Sequence, residues 1–237
     1  FTYCMTGSRT YKDRLYSLAP DRCPICDKRW GFNDKNLDHV LPKSKFPQFA
    51  ITPHNLVTTC DTCNKRKHDG HGKDESTGVF NAYFHEVSLA KYIKCYIYAS
   101  RGDIVVNVHL ISFDESEIQD ENQYQRLKYW FEKLYDLDQM YNINVRNNIL
   151  KLVDEFARSD IPEGLISEEF LRKEFQTNYD EYNKFDFSDG LISDEFLIFI
   201  MYDSLANKSP NELIALIKEN ILARKSEIAL AKCEDIF

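Results

Sequence analysis

The feature that most restricts the fold is a pair of short cysteine motifs, Cys23-Pro-Ile-Cys26 and Cys60-Asp-Thr-Cys63, with 33 residues between Cys26 and Cys60. Each knuckle can turn two thiolates and the amides between them toward one ion, and two knuckles complete a tetrahedral zinc site. Closing it requires the loop at 23–26 to return in space to whatever element carries Cys60. Four Cys ligands leave no open coordination position, so the site would support the fold rather than do chemistry. The alternatives are four buried free thiols, or a thioredoxin-like redox pair; neither knuckle lies in the βαβ context the latter needs. A segment this short buries little core by itself, which a structural metal would offset. Cys4, Cys95 and Cys233 have no comparable spacing and read as buried or incidental thiols.

With 237 residues, 43% hydrophobic and 14% aromatic, the chain can form one large or two small packed units, and disorder is not expected. No apolar stretch reaches the roughly 20 residues needed to span a bilayer, and the start FTYCMTGSRT lacks the apolar core of a secretion signal. A soluble cytoplasmic protein with no membrane partner is the expectation, and a first residue of Phe1 leaves native residues expected ahead of it. The formal charge of -8 argues superficially against a polyanion partner, but it is unevenly spread. Residues 1–75 carry 13 Lys and Arg against 9 Asp and Glu, and the remainder 17 against 29, so +4 and -12 give -8. Any polyanion contact belongs to the N-terminal third. Zinc-bound thiolates would cancel about two of those charges, so only a local patch there can be basic.

No internal repeat or low-complexity tract is present. Residues 1–90 are rich in Gly, Pro, Cys and His, with LDHVL and NLVTT reading as strands. Asp61 is a candidate N-cap for a short helix DTCNKRKH that stops before the glycines of DGHG. KYIKCYIYAS and DIVVNVHLISF flank an Arg-Gly-Asp turn signal and predict a β-hairpin within 91–120. From 121 to 237 the apolar period changes to three and four. QRLKYWFEKLYDL, VRNNILKLVDEFARS, SEEFLRKEFQTNYDEY, SDEFLIFIMYDSL and PNELIALIKENILARK read as helices, the last capped by Ser209 with Pro210 at its first position. The expected organisation is a first unit at 1–90, a hairpin connector at 91–120 and an acidic, aromatic-rich helical region at 121–237.

Between and beside the knuckles stand Asp38, His39, Asn55, Asn64 and His68. Phosphodiester hydrolysis needs a base for water, a hard cation for the phosphoryl and leaving oxygens, and something to aim the base. His39 suits the base. Asp38 faces the opposite side of a regular strand, so the two share a site only if the strand ends or twists there, as Pro42 allows. Asn64 and His68, four apart, would share one helical face.

The combination of CPIC, LDHVLPKSKFP and HNLVTTCDTCNKRK resembles the HNH nucleases, the zinc-knuckle branch of the His-Me finger or ββα-metal superfamily. The resemblance covers about residues 20–70. It implies an α+β fold with a ββα-metal core, a four-Cys zinc site, a β-hairpin and an all-α C-terminal region. Carried over residue by residue, it makes His39 the general base, Asn55 its orienter through the loop, and Asp38 and Asn64 the ligands of a catalytic divalent ion. Asn64 stands where the literal pattern has His, and an Asp–Asn oxygen pair suits Mg²⁺ or Mn²⁺ better than Zn²⁺. His68 resembles an extra helix ligand found in the colicin-type branch; otherwise it is an exposed histidine favoured by the helix dipole. Lys43, Lys45, Lys65, Arg66 and Lys67 bracket the site as candidate phosphate contacts, or form a solvated helix face. His54, just before Asn55, reads as a loop residue; His71, His85 and His109 lack partner spacing and read as structural, and YFHE at 83–86 reads as packing.

Nothing in 121–237 resembles a base-reading element, so this region is expected to buttress the first unit or to dock a partner. Stand-alone bacterial HNH proteins with this core and a helical tail resemble components of phage-defence or restriction systems, sometimes paired with an ABC- or SMC-like ATPase, as in Septu. The reading is therefore a metal-dependent endonuclease, with double-stranded DNA as expected substrate and an ATPase or a second copy as expected partner. Its rivals are a zinc-stabilised nucleic-acid- or protein-binding module without catalysis, and a nuclease for RNA or branched DNA.

Overall fold

The computed structural model describes residues 5–6, 9–31, 34–72, 77–78, 81–83, 89–186 and 194–234. The chain runs through β1 (Met5–Thr6), β2 (Arg9–Thr10), α1 (Tyr11–Ser17), β3 (Lys35–His39), β4 (Leu56–Cys60), α2 (Asp61–Lys67), β5 (Ile93–Ser100) and β6 (Asp103–Leu110). Five longer helices follow: α3 (Glu121–Tyr129), α4 (Leu137–Arg158), α5 (Glu168–Tyr182), α6 (Asp194–Asn207) and α7 (Asn211–Glu234). The expected α+β class is the one found. Among the described residues no helix is long and apolar enough to cross a membrane.

β3 and β4 pair antiparallel, with Lys35 opposite Cys60 and His39 opposite Leu56. β4 is buried throughout, because α2 packs back on both strands. Asp61 is the first residue of α2 rather than its cap. Cys60 holds the N-cap position and its sulfur accepts the Cys63 N–H, so the helix starts inside the second knuckle. α3 passes into a π turn at Trp130–Leu134, whose Trp130, Phe131 and Leu134 are all buried.

In the hairpin of β5 and β6, Ser100 opposes Asp103, and Arg101 and Gly102 both have positive φ, 52° and 82°. That is the twist a two-residue hairpin turn requires. Alternation buries Ile93, Cys95, Ile97, Ile104, Val108 and Leu110 on one face, against α6 and α7. The Ile97 N–H, which the ladder leaves over, donates to the Ser204 hydroxyl of α6 at 2.9 Å. Ser167 caps α5 by accepting from Phe170 N–H at 3.0 Å. Ser209 does not cap α7: its hydroxyl turns back to the Ser204 carbonyl at 2.9 Å.

Two compact units result. The first holds the described residues up to 89 together with 111–137; the second holds the described residues of 90–110 and 138–234. The serial division expected from composition cuts the chain differently, since periodicity does not reveal that α3 and the π turn pack with the first unit.

The second unit's packing gives it a pH limit. Burial pushes the Cys95 thiol up from 9.0 to about 12, and burial, with Tyr182 adding to it, pushes the Tyr202 phenol up from 10.0 to about 12. The unfolded chain then releases protons that the folded chain keeps, so stability is full below about pH 9 and falls as pH rises toward 12. At ~1.4 kcal/mol per pH unit of separation, urea midpoints followed by circular dichroism are expected to drop steeply between pH 9 and 11, and less steeply in Cys95→Val.

Candidate active site and metal centre

The first knuckle is a tight turn. Asp27 N–H donates to Cys23 carbonyl at 2.8 Å and Cys23 N–H to Lys28 carbonyl at 2.9 Å, with Asp27 at φ 60°. This folds Cys23 and Cys26 onto the start of α2, where the sulfurs of Cys23, Cys26, Cys60 and Cys63 all lie within 4.8 Å of one another, buried. Cys60 N–H donates to the Cys23 sulfur at 3.3 Å and Cys63 N–H to the Cys60 sulfur at 3.4 Å. The contact from Cys23, and then those from Cys26 and Cys63, favour the thiolate at Cys60. The same crowding holds Cys63 and Cys26 protonated, Cys23 being the largest influence on each. Sulfurs arranged this way share protons poorly and a dication well. The 3.7 Å between the Cys26 and Cys60 sulfurs matches the edge, about 3.8 Å, of a tetrahedron with Zn–S bonds of 2.3 Å. The four sulfurs fit a zinc ion, and among the described residues no other Cys, His, Asp and Glu group of three or more converges in this way.

The second constellation gathers at the other end of the two strands. β3 ends at His39, with Asp38 buried and His39 half-buried. His39 Nε2 lies 3.0 Å from the Ala50 carbonyl and donates to it, which fixes the tautomer with the basic lone pair on Nδ1. Asn55 sets where that carbonyl lies. Its side chain accepts Leu41 N–H at 2.6 Å and donates to the carbonyls of Leu41 at 3.0 Å and Phe49 at 3.1 Å. Both ends of the loop 41–49 are thereby clamped by one buried amide. Asn55→Ala would leave those backbone groups without it at ~1–3 kcal/mol in total, and is expected to lower the urea midpoint and slow any His39-dependent reaction about 100-fold.

The basic residues divide. Lys43 and Lys45 are exposed, Lys45 reaching the Asp69 carbonyl at 3.2 Å. Lys65 is exposed and pairs with Asp61 at 2.6 Å. Lys67 departs from the expected phosphate contact: it is buried, its ammonium 3.0 Å from Asp38 Oδ1 and 2.6 Å from the His39 carbonyl. Burial raises the Asp38 carboxyl above its usual range, with Lys67 opposing it. Arg66 likewise turns inward, to the Tyr135 and Asp136 carbonyls and, at 2.7 Å, to Asp136 Oδ2. The expected pairing of Asn64 with His68 on one helical face does not form. α2 ends at Lys67, and His68 leaves it at φ 47°. Asn64 lies one turn before Lys67, on the same side of α2.

A search of family models matches residues 23–70 to the HNH endonuclease model. Residues 23–70 are an HNH endonuclease domain. Among curated proteins, the chain is 39% identical over 57 residues to protein ea31 of Escherichia phage lambda, covering 24% of this chain and 19% of that one. It is 24% identical over 152 residues to Septu protein PtuB of Bacillus thuringiensis, covering 59% and 56%. A Vibrio cholerae protein of retron Vc95, named as a candidate HNH endonuclease, is 28% identical over 68 residues, covering 24% and 33%. The matches thus span between about a fifth and just over half of these relatives' lengths. No solved structure matches the chain.

The HNH domain leans on residues that the sequence reading passed over. Tyr135, buried, has its phenol held well above its ordinary value by burial and then by the charge of Asp38, and its carbonyl accepts from Arg66 at 3.4 Å. A Cβ on Gly70 would come within 2.8 Å of the Lys67 carbonyl and 2.7 Å of Leu134 Cδ1, and the backbone clash cannot be relieved by moving a side chain. Asp136, gripped by Arg66, sits at φ 51°. These residues follow α2 by some 70 positions, and YWFEKLYDL carries no local sign of the role. Of the histidines read as structural, His71 stacks edge-on with Phe46 at 5.3 Å and His109 lies flat on Tyr96 at 5.3 Å. The His54 carbonyl accepts from Asn81 at 2.8 Å. His85, with residues 84–86 of YFHE, and Cys4 lie outside the described residues.

Proposed function

We propose that the chain is a divalent-metal-dependent endonuclease that cuts double-stranded DNA, with zinc in the four-Cys site as a structural ion. The observation that carries this reading is the imidazole of His39, bonded to Ala50 in the loop that Asn55 clamps, on the residue that follows the buried Asp38 in β3. His39 takes a proton from the attacking water on Nδ1, and the Nε2–H bond to Ala50 keeps the ring aimed as charge builds on it. Asp38 and Asn64 supply oxygen donors suited to Mg²⁺ or Mn²⁺. An ion held there would neutralise charge on the phosphoryl oxygens and the leaving 3′-oxygen. Lys43 and Lys45, exposed beside the site, position the phosphate backbone.

One such site nicks; double-strand cleavage follows when two sites assemble. The similarity to PtuB covers more of the chain than the HNH domain does, and this supports a role in phage defence in the cytoplasm. In that role the residues beyond 121 would dock a partner such as an ABC- or SMC-like ATPase, or a second copy. The test is incubation of the purified chain with supercoiled plasmid in Mg²⁺, in Mn²⁺ and in EDTA. Nicked or linear product in the metal lanes alone supports the reading. Tight plasmid binding with no cut, with or without ATPase partner, favours the zinc-stabilised binding module, and cleavage of RNA alone moves the substrate.

A further inference from the structure

We propose that Lys67 is a positioning residue that ties the Asp38–His39 pair to α2, and that it does not contact phosphate. The inference rests on the nuclease reading for calling these groups a site, and otherwise on geometry alone. The Lys67 side chain is 2% exposed and that of Asp38 7%, too buried for an ammonium to meet a DNA backbone. Its two contacts fall on consecutive residues of the same strand, Asp38 Oδ1 at 3.0 Å and the His39 carbonyl at 2.6 Å. One ammonium therefore fixes the carboxylate's rotation and the backbone from which the imidazole springs. Lys67 also belongs to the helix that carries Asn64 one turn earlier. The two oxygen donors come from separate elements, β3 and α2, and the Lys67 bridge sets the separation between those elements at this point. A shorter, more exposed or uncharged side chain would leave both carboxylate and helix free to shift.

Four proteins test this: wild type, Lys67→Met, Asp38→Asn and Asp38→Asn/Lys67→Met. Three quantities are read: affinity for a short DNA duplex in EDTA by fluorescence anisotropy, melting temperature, and the Mn²⁺ concentration giving half-maximal plasmid cleavage. For Lys67→Met the expected result is duplex affinity within about twofold of wild type and an unchanged salt slope, since no phosphate contact is lost. Its melting temperature falls by about 5 °C or more, and most of that fall is absent in the Asp38→Asn background. Its half-maximal Mn²⁺ rises about 10-fold or more. A lost phosphate contact would instead weaken the duplex and reduce the salt slope by about one, and together with additive melting shifts it would overturn the proposal. Should Lys67→Met fail to fold, the double variant, which buries no lone charge, carries the same anisotropy test. If the wild type cuts nothing and His39→Ala matches it, the nuclease reading falls; the non-additive melting shifts and unchanged duplex affinity would still stand for the bridge.

Discussion

His39→Ala is expected to retain its zinc, to melt close to wild type and to cut supercoiled plasmid about 1,000-fold more slowly. The magnitude is that of losing a positioned general base, about 10²–10⁴-fold. The stability cost is small because the imidazole is half-buried and its bond to Ala50 contributes about 1 kcal/mol. This combination separates His39 from the residues around it. Asn55→Ala slows the reaction and weakens the fold together, since its amide holds three backbone groups. A His39→Ala rate within tenfold of wild type, in a protein with unchanged metal content, would move the chemistry elsewhere in the chain.

Loss of the structural metal is expected to be more drastic for the fold. Metal at a closed thiolate site contributes on the order of 10 kcal/mol, comparable to the whole stability of an ordinary domain. Without it the four sulfurs, all within 4.8 Å of one another, can be accommodated only by sharing protons. The first knuckle then keeps the Cys60 N–H bond to Cys23 and the packing of the buried Ile25. Cys60→Ser is expected to be the most damaging of the four substitutions. That one residue closes β4, caps α2 and supplies a ligand. The measurement is zinc stoichiometry with two-dimensional amide NMR before and after a thiol-competing chelator. Signals from the first unit should collapse while those from the second, with its own core of Leu205, Leu213, Ile214 and Ile217, persist. Mild chelation that removes only Mg²⁺ or Mn²⁺ should silence cleavage reversibly and leave both sets of signals in place. A first unit that keeps its amide dispersion without zinc would show that packing alone suffices.

The parts legible in the sequence were those whose physics is local or whose spacing is rigid. Two Cys-x-x-Cys knuckles can close on one ion in few ways, and the structure brings their sulfurs together. Arg101-Gly102 between alternating β-branched runs has one economical solution, the tight hairpin turn. The fate of Lys65, Arg66 and Lys67 was not legible. Three consecutive basic residues on a short helix look like a solvated face whichever way each one turns, and here one points outward to Asp61 while two turn inward. What draws the inward pair is Asp38, 29 residues before Lys67, and Asp136, 70 residues after Arg66. A helical period cannot announce contacts at such separations. The end of α2 differs too: His68 is an adequate helix residue, yet the chain turns there with positive φ, and the Gly70 N–H closes on the Lys67 carbonyl at 2.7 Å.

The clasp of Arg66 on Asp136 bears on how this HNH segment can be inherited. The matched family segment, 23–70, is what recombination could carry from one gene to another, yet its last helix is buttressed by Leu134, Tyr135 and Asp136 from far downstream. A transplanted copy would arrive with an arginine lacking its anchor, and each host lineage would have to evolve its own partner for it. Diversity among such proteins should then concentrate in whatever lies beneath α2, with the knuckles and the strand pair drifting least.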